Sequence, residues 1–284
     1  MKKLTIFLMA VLFAAVANAQ VEQVTSKNGL DVMPEAGQFA IGFDAAPFLG
    51  YVGDFFNNTS NNGLSATYVD NNSGLQLYGK YFLSESQAIR GRLRLNQNTV
   101  QQVNRVMMDG QNQTNIEVED ELVSNTFTVE LGGGLEWRRS KGRIVGVYGA
   151  EANIGMSTSG STYTYGNEIT VDNQNPTTTT NFNSGASSRA TSREVSARGA
   201  NTFSIGARGF AGVEYFVAPQ ISLGAEFYLG IAYRGTNRSQ VVTEEFNPAT
   251  QEVVEITDVD AGTLTNFGIN TADYGGAINL MFHF

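Results

Sequence analysis

A chain of 284 residues without a single cysteine cannot be stapled by disulfides, anchored through a lipidated cysteine, or given a zinc site built on thiolates. Its 27 acidic residues outnumber 18 basic ones for a formal charge of −9, which argues against nucleic acid as a partner because phosphate recognition calls for a basic patch. A hydrophobic content of 42% fits a soluble globule and a membrane protein alike, so the order of the residues has to decide.

The chain opens with Lys2 and Lys3, an apolar run from Leu4 to Val16, and Ala17-Asn18-Ala19. That succession predicts a signal peptide over residues 1–19, cut ahead of Gln20; the apolar run is too short for a spanning helix, which takes about 20 residues. Residues 20–37 predict a short periplasmic N-terminal segment of mixed polarity. A free tail and a strap across the mouth of the following domain both remain open.

From residue 38 to 284 the dominant signal is alternation with period two, the mark of strands whose two faces differ. Eight such segments occur: Gln38–Phe48, Leu75–Leu83, Ala88–Asn96, Thr126–Arg138, Arg143–Met156, Thr202–Val217, Ile221–Arg234 and a last one from Tyr274 to Phe284. One face of each is uncharged, as in Ile89, Gly91, Leu93 and Leu95, or Ile221, Leu223, Ala225, Phe227, Leu229 and Ile231. Short connections near Ser84–Gln87, Arg139–Gly142 and Ala218–Gln220 alternate with long ones over about residues 49–74, 97–125, 157–201 and 235–273. The expected fold is all-β, an eight-stranded antiparallel up-and-down transmembrane β-barrel with extended extracellular hairpin loops, because such barrels pair short periplasmic turns with long outer loops.

Charge placement agrees. Asp44, Lys80, Arg90, Arg92, Arg94, Glu130, Glu136, Glu151, Arg208, Glu214 and Glu226 all fall opposite the apolar faces. A basic side chain exposed to hydrocarbon at mid-bilayer costs about 2–4 kcal/mol. An eight-stranded barrel is only wide enough for its inward side chains, so these eleven residues are predicted to form a lumen ion-pair network. Trp137, Tyr81, Tyr215, Tyr233 and Tyr274, near strand ends, suit interfacial girdles. In the long loops, Asp109-Gly110 predicts a tight hairpin turn, Gln240–Phe246 and Gln251–Thr257 predict a second hairpin, and Thr177–Thr180 predicts a mobile tip of the third loop.

Eight alternating segments, the terminal pattern Ile278, Leu280, Phe282 and Phe284, and segments such as Gly79-Lys80-Tyr81-Phe82-Leu83 followed by Ala88-Ile89-Arg90 resemble the small outer-membrane barrels, namely the transmembrane domain of outer-membrane protein A and the outer-membrane protein X type. The resemblance covers Gln38 to Phe284 and is one of pattern. It implies a bacterial outer-membrane location with periplasmic termini and extracellular long loops. It also implies that the last strand is a C-terminal insertion signal read by the barrel-assembly machinery.

Catalytic chemistry finds little to work with. Enzymatic barrels generally use histidine as base, and the chain has one, His283, inward by parity at the periplasmic rim. It reads as a packing or hydrogen-bonding residue. Gly132-Gly133-Gly134 lacks the strand-to-helix context and lysine of a phosphate loop, so it reads as close packing. Glu117, Glu119, Asp120, Glu121, Asp258 and Asp260 lack EF-hand spacing and read as solvated surface rather than a calcium site.

The expectation is therefore a non-enzymatic scaffold without cofactor or metal. It would serve envelope integrity or bind a surface protein or glycan through four long loops. Tyr51, Phe55, Phe56 and Phe246 are candidate contacts. The alternative is a narrow pore or transport accessory.

Overall fold

The computed structural model describes residues 24–27, 29–45, 75–110, 116–270 and 276–284. The predicted signal peptide and the candidate contacts Tyr51, Phe55 and Phe56 lie outside the described residues, as does Tyr274.

All described elements are strands. Eight of them pair antiparallel with their neighbours all the way round: β1 (Phe39–Asp44), β2 (Leu75–Ser84), β3 (Gln87–Met107), β4 (Glu117–Lys141), β5 (Ile144–Thr164), β9 (Thr202–Ala218), β10 (Ile221–Thr236) and β14 (Gly276–His283). The ring closes where β14 meets β1, with Ala40 opposite His283 and Phe43 opposite Leu280. Where β1 and β14 pair, closure removes the open edge that a flat sheet would leave there. At one end lie the three short turns. Gly142, at φ 59°, and Gln220, at φ 61°, supply the left-handed residues for two of them.

Alternation sorts the side chains as the sequence predicts. Outward positions such as Ile41, Leu131, Leu135, Ile154, Ile205, Leu229 and Ile231 are exposed, whereas Lys80, Arg90, Glu136, Glu151 and Glu214 on the opposite face are buried. Inward glycines make room for large neighbours. A Cβ on Gly149 would stand 2.6 Å from the Phe210 ring, and one on Gly134 would stand 2.7 Å from the Glu151 Cβ. Large and small inward residues therefore interlock around the ring.

Two expectations need correction. The described residues hold fourteen strands, not eight, and β3, β4 and β5 run well past their predicted ends: β3 to Met107, β4 from Glu117, β5 to Thr164. The β3–β4 ladder continues without a break from Gln97 opposite Phe127 to Met107 opposite Glu117. Period two fades there because both faces are polar, yet backbone pairing does not depend on that contrast. On this projecting sheet, β5 pairs at its tip with β8 (Ser192–Arg198), β8 with β11 (Gln240–Asn247), and β11 with β12 (Glu252–Val259). The predicted second hairpin is the β11–β12 pair, Asn247 opposite Glu252. The last predicted segment is preceded by β13 (Thr265–Asn270), which pairs with the loop-end half of β10 while β14 takes the turn-end half.

The second correction concerns the third loop. Its threonine run is a strand, β6 (Thr177–Asn181), hairpinned with β7 (Ala186–Arg189) and laid against the projecting sheet, with Thr178 and Thr179 buried. At the opposite end, residues 29–37 form a strap rather than a tail. Val32 and Met33 are fully buried against Val145, Val147 and Phe216, and the Val32 carbonyl accepts the Gln220 N–H at 3.2 Å.

Candidate functional site

The interior of the ring is a continuous ionic cluster, built because even-numbered residues of β2, β3, β4, β9 and β10 and odd-numbered ones of β5 point inward. Arg90 on β3 holds three carboxylates at once. It forms a two-pronged contact with Glu226, Nη2 to Oε2 2.8 Å and Nη1 to Oε1 3.2 Å, and reaches Glu136 at 3.3 Å and Glu151 at 3.1 Å. Towards the turn end, Lys80 lies 3.0 Å from Glu136 and 3.6 Å from Glu214. Towards the loop end, Arg208 pairs with Glu151, and Arg92 pairs with Glu130 and lies 3.7 Å from Glu151. Arg94 stands 4.0 Å from Glu130.

Aromatic faces complete the cation sites. The Arg90 guanidinium lies 3.9 Å from the Phe210 ring centre and that of Arg208 lies 4.0 Å from Tyr228. The Tyr228 hydroxyl donates to Glu226 at 2.8 Å. A buried ion pair only repays the loss of water when its remaining donors and acceptors are matched; shared partners match most of them here, while Arg92 Nε and Arg208 Nη2 are buried without a hydrogen bond and have only the nearby Glu151 charge.

Ten of the eleven predicted network residues are thus brought together by these pairs. Asp44, the eleventh, sits half-buried on the inner face of β1 opposite Asn279.

One member escaped the sequence reading. Arg138, almost fully buried, lies 3.1 Å from Glu136 and 3.0 Å from Glu214, with its guanidinium over the Phe82 ring. Its even number on β4, shared with Glu136, was the available signal.

His283 lies at the turn end, its ring between Phe82 and Phe216 at centroid distances of 5.7 and 5.0 Å. Its Nε2 is 2.9 Å from the Ser222 Oγ, and Ser222 also donates to Glu214 at 2.7 Å. These are the residue types of a hydrolytic triad in a different arrangement. A triad needs the acid on the ring nitrogen away from the serine, whereas Glu214 approaches the same Nε2, at 3.6 Å. Ser222 and His283 are both buried, so the set packs the turn end. The C-terminal residues Ile278, Leu280, Phe282 and Phe284 occupy the opposite, outward face of the last strand, where Phe284 stacks on Phe39 at 5.3 Å.

A second polar cluster organises the projecting sheet. Asp120, fully buried on β4, accepts the Gly166 N–H at 3.0 Å and the Thr179 N–H at 2.8 Å. Asp109 accepts from the Thr177 N–H at 2.6 Å, the Thr177 hydroxyl at 2.7 Å and the Asn173 amide at 3.1 Å. Burial acts to raise the Asp109 pKa, but these donors, with Arg189 nearby, outweigh it and hold the carboxyl below its usual value.

Arg193 bridges the layers. It pairs with Glu244 at 2.7 Å, donates to the Asn167 carbonyl at 2.6 Å and stacks over Tyr165. Of the acidic residues read as solvated surface, Asp120 is therefore a buried structural acceptor, while Glu119 pairs with exposed Arg105 at 3.1 Å. No family model matches the chain, and no curated protein matches it.

Proposed function

We propose that this chain is a non-enzymatic β-barrel of the bacterial outer membrane, with a side-chain-filled lumen and an extracellular sheet that presents its contact surface. The observation that carries this reading is the reversed polarity of the ring. Large apolar side chains are exposed all around its outside, Phe39, Leu77, Ile89, Leu131, Ile154, Ile205, Val213 and Leu229 among them, while its charges are buried inside. An apolar belt of this extent on a water-soluble monomer would be an aggregation surface; in lipid it is the required face.

Its height supports the same assignment. From Phe127 to Trp137 the outward face of β4 is apolar, and at about 3.4 Å per residue with a tilt near 40° that stretch stands about 26 Å tall, close to the ~25 Å apolar band of such barrels. Tyr81, Tyr215 and Tyr233, and the stacked pair Trp137 and Tyr148, lie at its margins.

On this reading the turn end is periplasmic, and the last strand, with Ile278, Leu280, Phe282 and Phe284 outward, addresses the barrel-assembly machinery. The sheet around β11, β12, β6 and β7 stands outside the cell, where its role is to hold a surface protein or glycan and to support the envelope. The closed ionic cluster opposes conduction.

Fractionation of cells expressing the chain tests the location: the folded protein is expected in the outer membrane, extracted only by detergent and migrating faster unheated than boiled. Recovery as a detergent-free soluble species ends the proposal. Planar-bilayer recordings test the filled lumen, and stable large channels would return the pore reading.

A further inference from the structure

On the outer surface, just above the apolar belt, one strand steps out of line. Both β8 and β9 pair with β5, Arg198 lying opposite Gly160 and Thr202 opposite Ser157. Four steps along one side therefore match three along the other, the count of a bulge with one extra residue. Parity changes across it. On β9 the outward residues are odd-numbered, Phe203 and Ile205 among them, whereas on β8 Arg198 shares the outward row of Gly160 and Asn125. Without the extra residue Arg198 would point into the ring.

At the break lies a groove of about 500 Å³, within the 300–1,000 Å³ typical of small-ligand sites. Its lower wall is exposed Phe127, at the upper margin of the belt, with Gln97 and Thr158 as register partners on either side. Two residues further out come Asn125, Gly160 and Arg198, and Asn201 lies at the break itself. On tilted β4 that step is about 5 Å of height above Phe127. A headgroup zone about 5–8 Å deep borders the hydrocarbon on each side, so the upper row stands within it.

The charge here is balanced differently from that of the ring interior. Arg198 is exposed and donates to the neutral Gln240 side chain at 3.2 Å, and among the described residues it enters no ion pair. No acidic side chain is among the described residues that line the groove. Asn125 takes the Thr99 hydroxyl through its oxygen at 2.7 Å, so it is the donor end of its amide that keeps capacity. One guanidinium and a set of amides thus stand over an aromatic ring, and the groove is too large for a phosphate alone.

We infer that this groove holds the phosphorylated sugar headgroup of a glycolipid in the outer leaflet. Its phosphate lies on Arg198, through the charge-assisted hydrogen bonds that guanidinium groups form with phosphate. Its sugar hydroxyls lie against Gln97, Asn125 and Asn201, and its apolar side lies over Phe127. The inference rests on the membrane location proposed above.

Native mass spectrometry of the full chain, released from detergent micelles after addition of monophosphoryl lipid A, tests it. One molecule is expected to stay bound per chain. Phosphatidic acid, which lacks the sugar, and octyl glucoside, which lacks the phosphate, should each bind at least about tenfold more weakly, because each supplies half of the recognition; inorganic phosphate should not be retained. Arg198→Gln should weaken monophosphoryl lipid A roughly ten- to hundredfold, the range of a lost hydrogen bond to a charged group, and Arg198→Lys should recover part of that loss. Arg105→Gln, at an exposed arginine elsewhere on the projecting sheet, should leave binding unchanged.

Retained fast migration without heating shows that each variant is folded; if Arg198→Gln fails that check, Phe127→Ala carries the test with an expected severalfold loss. Recovery of the chain as a detergent-free soluble species overturns the membrane location and this inference together. A chain that fractionates with the outer membrane yet retains no monophosphoryl lipid A, holds phosphatidic acid equally well, or keeps full affinity as Arg198→Gln overturns this inference alone.

Discussion

Inside the ring the ion pairs among the described residues join Lys80, Arg90, Arg92, Arg94, Arg138 and Arg208 to glutamates side chain to side chain, whereas in the projecting sheet Asp109 and Asp120 accept mainly from backbone N–H groups and neutral side chains. The difference follows from where unused backbone donors exist. In a closed ring the ladder consumes the N–H groups of the wall, so a buried carboxylate there can only be matched by another side chain. The third loop crosses the sheet with N–H groups that lack ladder partners, and a buried aspartate supplies them. Each region uses acids, but one uses them to balance charge and the other to hold chain.

Removing an acid should therefore cost more inside than outside. Glu136→Leu takes away a partner shared by Lys80, Arg90 and Arg138, and loss of one member of a buried ionic set costs about 3–5 kcal/mol. Urea unfolding in detergent is expected to show that loss across the whole ring; a change below about 1 kcal/mol would mean that water reaches the cluster.

Asp120→Ala should cost about 1–3 kcal/mol for the buried donors it abandons, and only locally. Trypsin is expected to cut at Arg189 or Arg193 in the variant while the thermal transition of the ring stays in place. A shifted ring transition would show that sheet and ring are one cooperative unit.

Asp109 adds a pH-dependent version of the same tether. Because its folded pKa lies below the unfolded value, its contribution is complete above the unfolded pKa of about 3.9 and is lost as pH falls through the folded one. Pepsin cleavage between residues 166 and 190 should rise on acidification through that window, and Asp109→Asn should flatten the response. The smallest effect belongs to Arg105→Ala. The Arg105–Glu119 pair is exposed, so its loss should change stability by under about 1 kcal/mol, in contrast to any pair within the ring.

The ring was legible wherever its two faces differ. Ile89, Leu93 and Leu95 against Arg90, Arg92 and Arg94 leave little choice of register or of which side turns inward. The projecting sheet was not, because Gln97-Asn98-Thr99 and Ser124-Asn125 are polar on both sides and alternation has nothing to contrast. Arg138 was lost by treating it as a strand end, although its parity placed it beside Glu136. Nothing local marks Asp120 as the anchor of Thr179: a hydrogen bond to backbone constrains the acceptor and leaves the donor residue free to vary.

The seam at which β1 meets β14 has a kinetic consequence. It joins residues from nearly opposite ends of the chain, Ala40 to His283 and Phe43 to Leu280, so it is the contact of greatest sequence separation and the costliest loop to close. Until the final strand arrives, β1 and β10 each keep an unsatisfied edge. A partly delivered polypeptide therefore has no finished product to settle into and needs to be shielded, open and unpaired, up to its last few residues.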